Sequence, residues 1–437
     1  MFDASGWEGN PDREFSPAST AEVAAIVGEA ASKKIPITVA GARTGVTGGC
    51  CPVGGWLISL DRLTQLACAP GLAFAGAGVS LESLGRSAAQ RGCFYAPDPT
   101  EWTASVGGTI ATNASGSRSY RYASTRRHVD RLECVMADGR VRVFREGDRI
   151  DFDVPAIPLP RTTKNTAGYA LSPGMQWIDL ICGSEGTLAI VTGAALKLLP
   201  QPAVLSTGVF FFASDAEALA AVDLLRRIPE GRMIEYVDAG SLDLLRPVFA
   251  PPAAASAAIL FEQEAEVDSL PDLPGLMDES WIAASAADRE RFRRFRHALP
   301  ERVNDTVRRN GFQKLGSDYA VPIDQNGAML EAYKDVLGRE FPGRYVLFGH
   351  IGDAHLHANI LPTTAEEFER GKAVLLDLAK TAVALGGTVS AEHGLGKRKA
   401  HLLALQYAPE HIEAMKAVKR RLDPDWLLGR GNLFPKP

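Results

Sequence analysis

Apolar positions recur with two different periods along this chain of 437 residues. Within 20–34, Val23, Ile26, Val27 and Ala30 fall at helical spacing; Thr20 stands at the N-cap, and Pro36 stops the segment before a short strand, Ile37–Ala40. Past Pro200 and Pro202 the pattern alternates: strand Ser206–Phe212, helix 216–227, strands 233–237 and 257–262, helix 288–303, helix 324–337 and strand 345–348. Phe292, Phe295 and Leu299 share one face of the 288–303 helix. Such an order predicts an antiparallel sheet backed by helices, of ferredoxin-like kind, behind an α+β first half, and the fold class is α+β. The Ala- and Pro-rich stretches 250–258 and 270–274 read as surface loops, and no internal repeat is visible.

Three glycine-rich segments interrupt the first half. Gly41-Ala-Arg-Thr-Gly-Val-Thr-Gly-Gly49 follows a strand directly, so consecutive backbone N–H groups can turn toward an anion such as a pyrophosphate. Its spacing is neither G-x-G-x-x-G nor that of a P-loop, which argues against a nicotinamide Rossmann site or an NTPase. A second segment joins Pro97-Asp98-Pro99-Thr100 to the pair Gly107, Gly108 and a small polar run through Gly116. The third, Gly183 to Thr192, turns from a tight loop into a strand. Any one alone reads equally as a structural turn, whereas three together suggest a large dinucleotide held by backbone contacts.

Composition narrows the setting without choosing the chemistry. The chain is 46% hydrophobic and 23% charged with a net charge of -5, which gives no electrostatic case for nucleic acid. No signal peptide and no apolar run of membrane-spanning length are expected, and the default location is cytoplasmic. The six cysteines form no C-x-x-C pair, so zinc-ribbon and iron–sulfur frameworks are unsupported. Adjacent Cys50 and Cys51 read as small loop residues in a reducing cell.

The strongest chemical signal lies at His350-Ile-Gly-Asp-Ala-His-Leu-His-Ala-Asn359, taken with Glu392 and His393. Four of the chain's eight histidines stand in these two places. Imidazoles gathered with a carboxylate suggest a divalent metal beside a histidine base. A two-residue turn at Asp353 and Ala354 sets His350 opposite His357, with His355 on the same face by period-two alternation; a shift of one residue pairs His350 with His355 instead. On the 288–303 helix, Arg293 and Arg296 lie near the edges of the apolar face, among arginines that equally read as a solvated surface.

The three glycine segments, with the cores Val-Gly-Gly-Thr-Ile-Ala-Thr-Asn-Ala and Gly-Ser-Glu-Gly-Thr-Leu, resemble the PCMH-type FAD domain of vanillyl-alcohol oxidase and p-cresol methylhydroxylase flavoproteins. The second half is similar to the FAD-linked oxidase C-terminal domain of their D-2-hydroxyacid dehydrogenase branch. The resemblance covers nearly the whole chain. It implies a PCMH-type FAD-binding domain of two α+β subdomains at 1–202, a ferredoxin-like substrate cap at 203–408 carrying metal and catalytic residues, and a segment at 409–437 returning to the FAD domain.

Site residues carry over by position. The resemblance implies that Gly41, Arg43, Thr44, Gly45, Val46, Thr47 and Gly48 cradle the pyrophosphate. Pro97, Asp98, Gly107, Gly108, Thr112, Asn113 and Gly116 would line the flavin and ribityl chain, and Glu185, Gly186 and Ile190 the adenine and ribityl side. The pyrophosphate loop lacks the histidine that bonds flavin in covalent relatives, so dissociable FAD is expected. His350, His357 and Glu392 are the implied ligands of a divalent metal, zinc first, with manganese, cobalt or iron also fitting. His393 is the implied base, and Arg296, helped by Lys314, the partner of the substrate carboxylate. Two departures stand out: Gly429-Arg-Gly-Asn432 where many relatives read Asn-Pro-Gly-Lys, and His355 where some have asparagine.

The implied activity is FAD-dependent oxidation of a D-2-hydroxy acid of the D-lactate, glycolate or D-2-hydroxyglutarate class. Its partners would be that small acid, an electron acceptor (quinone, cytochrome or electron-transferring flavoprotein) and a second copy in a homodimer. Competing readings are a metal-independent flavin oxidase of an alcohol or phenol and a non-catalytic flavin-binding subunit.

Overall fold

The computed structural model describes residues 3–267 and 270–435. Its first part holds three sheets, the smallest being the antiparallel pair Cys93–Phe94 and Leu199–Pro200. A parallel sheet joins Arg13–Phe15, Trp56–Ser59 and Ile37–Ala40 in that order, and the helix Thr20–Ser32 lays Val23, Val27 and Ala30 against it. The helix starts one residue earlier than its apolar spacing suggested: Ser19 is the N-cap, its hydroxyl accepting from the Glu22 N–H at 3.2 Å, while Thr20 is already helical. A five-stranded antiparallel sheet runs Leu66–Ala69, Leu72–Gly76, Ile190–Lys197, Val129–Val135, Val141–Arg145.

The second part is built on an eight-stranded antiparallel sheet. Along it lie Trp281–Ile282, Ser206–Phe212, Ala257–Gln263, Gly231–Asp238, Tyr345–His350, His355–Ile360 and Leu315–Gly316, with Tyr319–Ala320 also pairing to His355–Ile360. Period-two alternation sorts its two faces. Phe210, Phe212, Ile259, Phe261, Leu347, Leu356, Ala358 and Ile360 pack with Ala218, Val222, Tyr333 and Leu378 of the helices Asp215–Leu225, Asn326–Glu340 and Ala365–Ala384. Val209, Phe211, Leu260, Met233 and Val237 meet Leu242, Phe292, Phe295 and Leu299 of Ala239–Phe249 and Ala286–Arg309. The arginine helix outruns the 288–303 segment because Ser285 caps it two turns before Phe292 and it continues through Pro300. Between Leu315–Gly316 and Tyr319–Ala320, Ser317 and Asp318 stand out of the ladder.

The last helix, Pro409–Leu422, is followed by a return to the first part. The Ile37 N–H donates to Leu427 O at 2.7 Å, the Gly429 N–H to Ile37 O at 2.9 Å, and Leu428 packs with Ile37 and Trp56. Lys419, fully buried, donates to the carbonyls of Thr187 and Leu428 and pairs with Asp423. No helix among the described residues is long and apolar enough to cross a membrane.

Candidate active site

The loop after Ile37–Ala40 forms one wall of a cleft of about 350 Å³. Among the described residues, none of the backbone N–H groups of residues 43 to 47 donates to a protein acceptor. Five consecutive free donors facing a cleft are what an anionic pyrophosphate requires. Ser105 Oγ ties this loop to the helix Val106–Thr112, accepting from the N–H groups of Ala42 and Gly108, both at 3.3 Å. Thus the glycine pair Gly107, Gly108 is helical. The Gly183 turn docks on the same helix through Gly183 N–H to Ile110 O at 3.0 Å and Glu185 N–H to Ala111 O at 2.8 Å.

Of the residues expected to hold FAD, Gly41, Arg43, Thr44, Gly45, Val46, Thr47, Gly107, Gly108, Thr112, Glu185, Gly186 and Ile190 line this cleft. Gly48, Pro97, Asp98, Asn113 and Gly116 do not. The Gly48 N–H is taken by Asp3 Oδ2 at 2.9 Å, and Asn113 is a left-handed helix cap whose Oδ1 accepts from the Arg126 N–H at 2.9 Å. Pro97 is buried beside Asp98, whose carboxylate faces Ser117 and Arg118 in a neighbouring cavity. Gly116 instead serves the opposite wall, its N–H donating to Glu392 Oε1 at 2.9 Å. Its φ is +97°, and a Cβ there would stand 2.0 Å from Asp98 O, so no side chain fits. Asn432, in the divergent 429–432 turn, also lines the cleft and donates to Gly49 O and Glu185 O at 3.0 and 3.1 Å.

The opposite wall is the histidine hairpin with Glu392 and His393. The shifted register is the one adopted: His350 pairs with His355, Gly349 with Leu356 and Phe348 with His357. Four residues, 351–354, form the connection, with Ala354 in the left-handed region at φ 50°. Because Leu356 and Ala358 face the helical core, His355 and His357 point the other way, alongside His350. Gly349, at φ +135°, makes room for them; a Cβ would sit 2.9 Å from His357 Cδ2.

Each imidazole is held by one ring nitrogen. His350 Nδ1 meets Glu235 Oε1 at 2.5 Å, His355 Nε2 meets Asp318 Oδ1 at 3.1 Å, and His357 Nδ1 meets Ser317 O at 3.2 Å. One ring nitrogen from each of the three histidines and a Glu392 oxygen lie within 4.8 Å of one another. His355 Nδ1 is buried with no hydrogen-bond partner. Outer acceptors orienting three rings toward one carboxylate, with an orphaned nitrogen among them, fit a metal ion. These residues could hold one.

The electrostatics turn on buried partners that the sequence reading missed. Lys164 Nζ reaches Glu392 Oε1 at 2.5 Å, Asp353 Oδ2 at 3.4 Å and Gly116 O at 3.1 Å. Burial would strip its proton, but Glu392 and Asp353 hold it charged, and it in turn holds Glu392 well below the usual carboxylate range against burial. Burial would likewise raise Glu235, yet Arg296 and His350 bring it to about 2; the same carboxylate outweighs burial at His350 and raises it to about 9. A charged residue inside the apolar strand 233–237 was the available signal for Glu235. Lys164 lies in a long irregular segment and offered none.

His393 follows Glu392 and lines the cleft, 35% exposed. Its Nδ1 stands 3.4 Å from Asp318 Oδ1, and Asp318 Oδ2 accepts from the His393 and Glu392 N–H groups at 2.9 and 3.3 Å. Burial keeps His393 below the ordinary histidine range despite Asp318, so it is a neutral acceptor near neutral pH. Glu185 props the following turn, accepting from the N–H groups of Leu395 and Gly396, both at 2.7 Å.

Burial raises the Glu185 carboxyl to about 7 against those two donors. Since the folded value exceeds the unfolded one, its contribution to stability is full below about pH 4.5 and is lost as pH rises through about 7. Glu185→Gln cannot titrate. Relative to wild type it should therefore gain on the order of 3 kcal/mol between about pH 5 and 8. Urea midpoints of flavin-free protein at the two pH values check this, and a constant difference would refute it.

Arg296 lies apart from the cleft. Its Nε donates to Glu235 Oε2 at 2.9 Å, and the side chain lines the cavity of about 240 Å³ shared with Asp98, Arg118 and His297. Lys314 is exposed at the start of Leu315–Gly316 and forms no ion pair among the described residues. The structure thus brings His350, His355, His357, Glu392 and His393 together and leaves Arg296 one carboxylate removed.

Comparison with known proteins bears on this arrangement. Residues 201–433 match the family model for FAD linked oxidases, C-terminal domain, and residues 11–145 match the FAD binding domain. The chain is 30% identical to D-lactate dehydrogenase of Archaeoglobus fulgidus over 96% of its length. It is 29% identical to glycolate oxidase subunit GlcD of Bacillus subtilis over 98%, and 28% identical to D-2-hydroxyglutarate dehydrogenase of Xanthomonas citri pv. viticola over 98%; it spans 90% of each of the three. The solved structure of alkyldihydroxyacetonephosphate synthase shares the fold, with a TM-score of 0.67 at 16% identity over 95% of this chain and 75% of that one. With a free-donor loop and a histidine wall facing one cleft, the chain belongs to the FAD linked oxidases and is an FAD-linked oxidoreductase of the D-lactate, glycolate and D-2-hydroxyglutarate dehydrogenase type.

Proposed function

We propose that the protein oxidises a D-2-hydroxy acid to the 2-oxo acid, with His393 as base and a divalent metal held by His350, His357 and Glu392. The observation that carries this reading is that His393, poised neutral, opens onto the cleft that the 43–47 donors enter from the other side. FAD, when bound, would accept the α-hydrogen as hydride at N5. His393 would take the hydroxyl proton at Nε2, the ring nitrogen not paired with Asp318, and Asp318 would stabilise the imidazolium that results. The metal, zinc first and otherwise manganese, cobalt or iron, would polarise the hydroxyl.

In this reading the 1–202 part holds FAD through Gly41 and Arg43 to Thr47, the 203–408 part supplies the catalytic wall, and 409–437 closes the cleft with Asn432. Arg296 would meet the substrate carboxylate with the guanidinium nitrogens that Glu235 leaves unpaired, and Lys314 would act only as an outlying positive charge. A quinone, cytochrome or electron-transferring flavoprotein would reoxidise the flavin, and a homodimer is the proposed assembly.

A metal-independent oxidation is the second reading, favoured by Lys164, which already neutralises Glu392. Anaerobic addition of D-lactate, glycolate, D-2-hydroxyglutarate and the L-forms, followed by flavin absorbance, tests the first. Bleaching by D-acids or glycolate is expected; bleaching by L-forms alone, or by none, overturns it. Chelator treatment should abolish reduction, and unchanged reduction would leave the metal-independent reading standing.

A further inference from the structure

We infer that His355 is a fourth protein ligand of the metal centre, bound through Nδ1, so that the ion meets three imidazoles and one carboxylate. This rests on the reading that the cluster holds a metal. His355 is completely buried, yet its Nδ1 has no hydrogen-bond partner, whereas Nε2 is held by Asp318. A carboxylate on Nε2 places the proton there and leaves the Nδ1 lone pair directed away from Asp318. That lone pair faces the cluster: Nδ1 is 3.9 Å from Glu392 Oε1, and His350 Nε2 is 3.4 Å from the same oxygen. Donors each about 2.1 Å from a shared ion stand roughly 3 to 4 Å apart.

The hairpin register sets His355 directly opposite His350. Pairing His350 with His355 brings their ring centroids to 5.3 Å, and His357, two residues along the same face, lies 4.4 Å from His355. His350 and His357 are 5.4 Å apart, so His355 is as close to each of them as they are to one another. His350 and His357 are likewise anchored through their other nitrogen, to Glu235 and Ser317 O. All three rings share one construction.

The fourth donor raises the coordination number at the ion. Four protein donors in a tetrahedron would leave no open position. A 2-hydroxy acid binding through hydroxyl and carboxylate would add two oxygens, a donor set open to manganese, iron or cobalt as well as to zinc. Asp318 also gains a second connection, since it holds both this ligand and the base, His393.

The test uses metal-free protein titrated with Co(II), followed by its visible spectrum and by competition with a chelator. Wild type should show the weak bands of a five- or six-coordinate ion. His355→Asn should bind Co(II) at least ~100-fold more weakly, the upper end of the roughly 10–100-fold loss seen when an outer-sphere partner is removed, and its bands should shift. Unchanged affinity and spectrum in that variant would overturn the assignment while the metal reading stands; failure of wild type to bind Co(II) would overturn the metal reading itself. Should His355→Asn not fold, electron-nuclear spectroscopy of Cu(II)-loaded wild type decides, with three coupled imidazoles expected and two overturning the inference.

Discussion

His393→Ala is expected to keep FAD and metal yet lose flavin reduction by a D-2-hydroxy acid by about 10²- to 10⁴-fold, the usual contribution of a positioned general base. The side chain contributes no hydrogen bond that holds the fold. Its turn is fixed by backbone donors, His393 N–H to Asp318 and the Leu395 and Gly396 N–H groups to Glu185, all of which survive truncation. Its ring stacks near His357, 5.6 Å between centroids, but is not among the nitrogens gathered around Glu392. Loss of rate with flavin spectrum and metal content intact therefore isolates proton transfer. His350→Ala should behave differently and lose metal, since it removes an inward nitrogen and leaves Glu235 to Arg296 alone. Single-turnover reduction with metal analysis on both variants checks the pair. A His393→Ala enzyme that still bleaches at the wild-type rate would remove the base assignment.

Lys164→Met should cost about 3–5 kcal/mol of stability in metal-free protein, because it leaves Asp353 buried without its cation and Glu392 with His350 alone. The side chains are 1%, 11% and 1% exposed, so water cannot take its place. Ser119 and Thr163 hydroxyls still donate to Asp353, and Ser115 and the Gly116 N–H to Glu392, but these neutral donors do not replace a charge. Divalent metal should recover part of the loss by mass action, more than in wild type, since the ion supplies the missing positive charge at Glu392. Urea unfolding of both proteins with and without metal tests this. A midpoint equal to wild type in the metal-free state would mean that Lys164 leaves these carboxylates to other partners.

Much of this site was readable from residue order because its parts are local. The 41–49 loop, the His350–His357 hairpin and the Glu392-His393 dipeptide each place their functional groups within a few residues, where turn geometry and strand period act directly. The same locality left the hairpin register open, as both turns keep all three imidazoles on one face; only the 351–354 connection, with Ala354 left-handed, decides that His355 rather than His357 faces His350. Arg296 shows the converse. Its helix position was legible, but its partner Glu235 is 61 residues away on a neighbouring strand. An arginine that reads as a solvated face or a carboxylate clamp is also half of a buried ion pair.

What the sequence by itself determined is therefore the set of donors and their local arrangement: an anion-binding backbone loop, clustered imidazoles, a carboxylate followed by a base, and an α+β chain of strands and helices to carry them. Only the tertiary structure decided their charge states and partners. Lys164, Glu235 and Asp318 come from three separate stretches, and burial strengthens each contact by removing the water that would screen it. Periodicity records which side of a strand or helix a residue occupies, but carries no information about which distant charge the fold will bring within 3 Å of it.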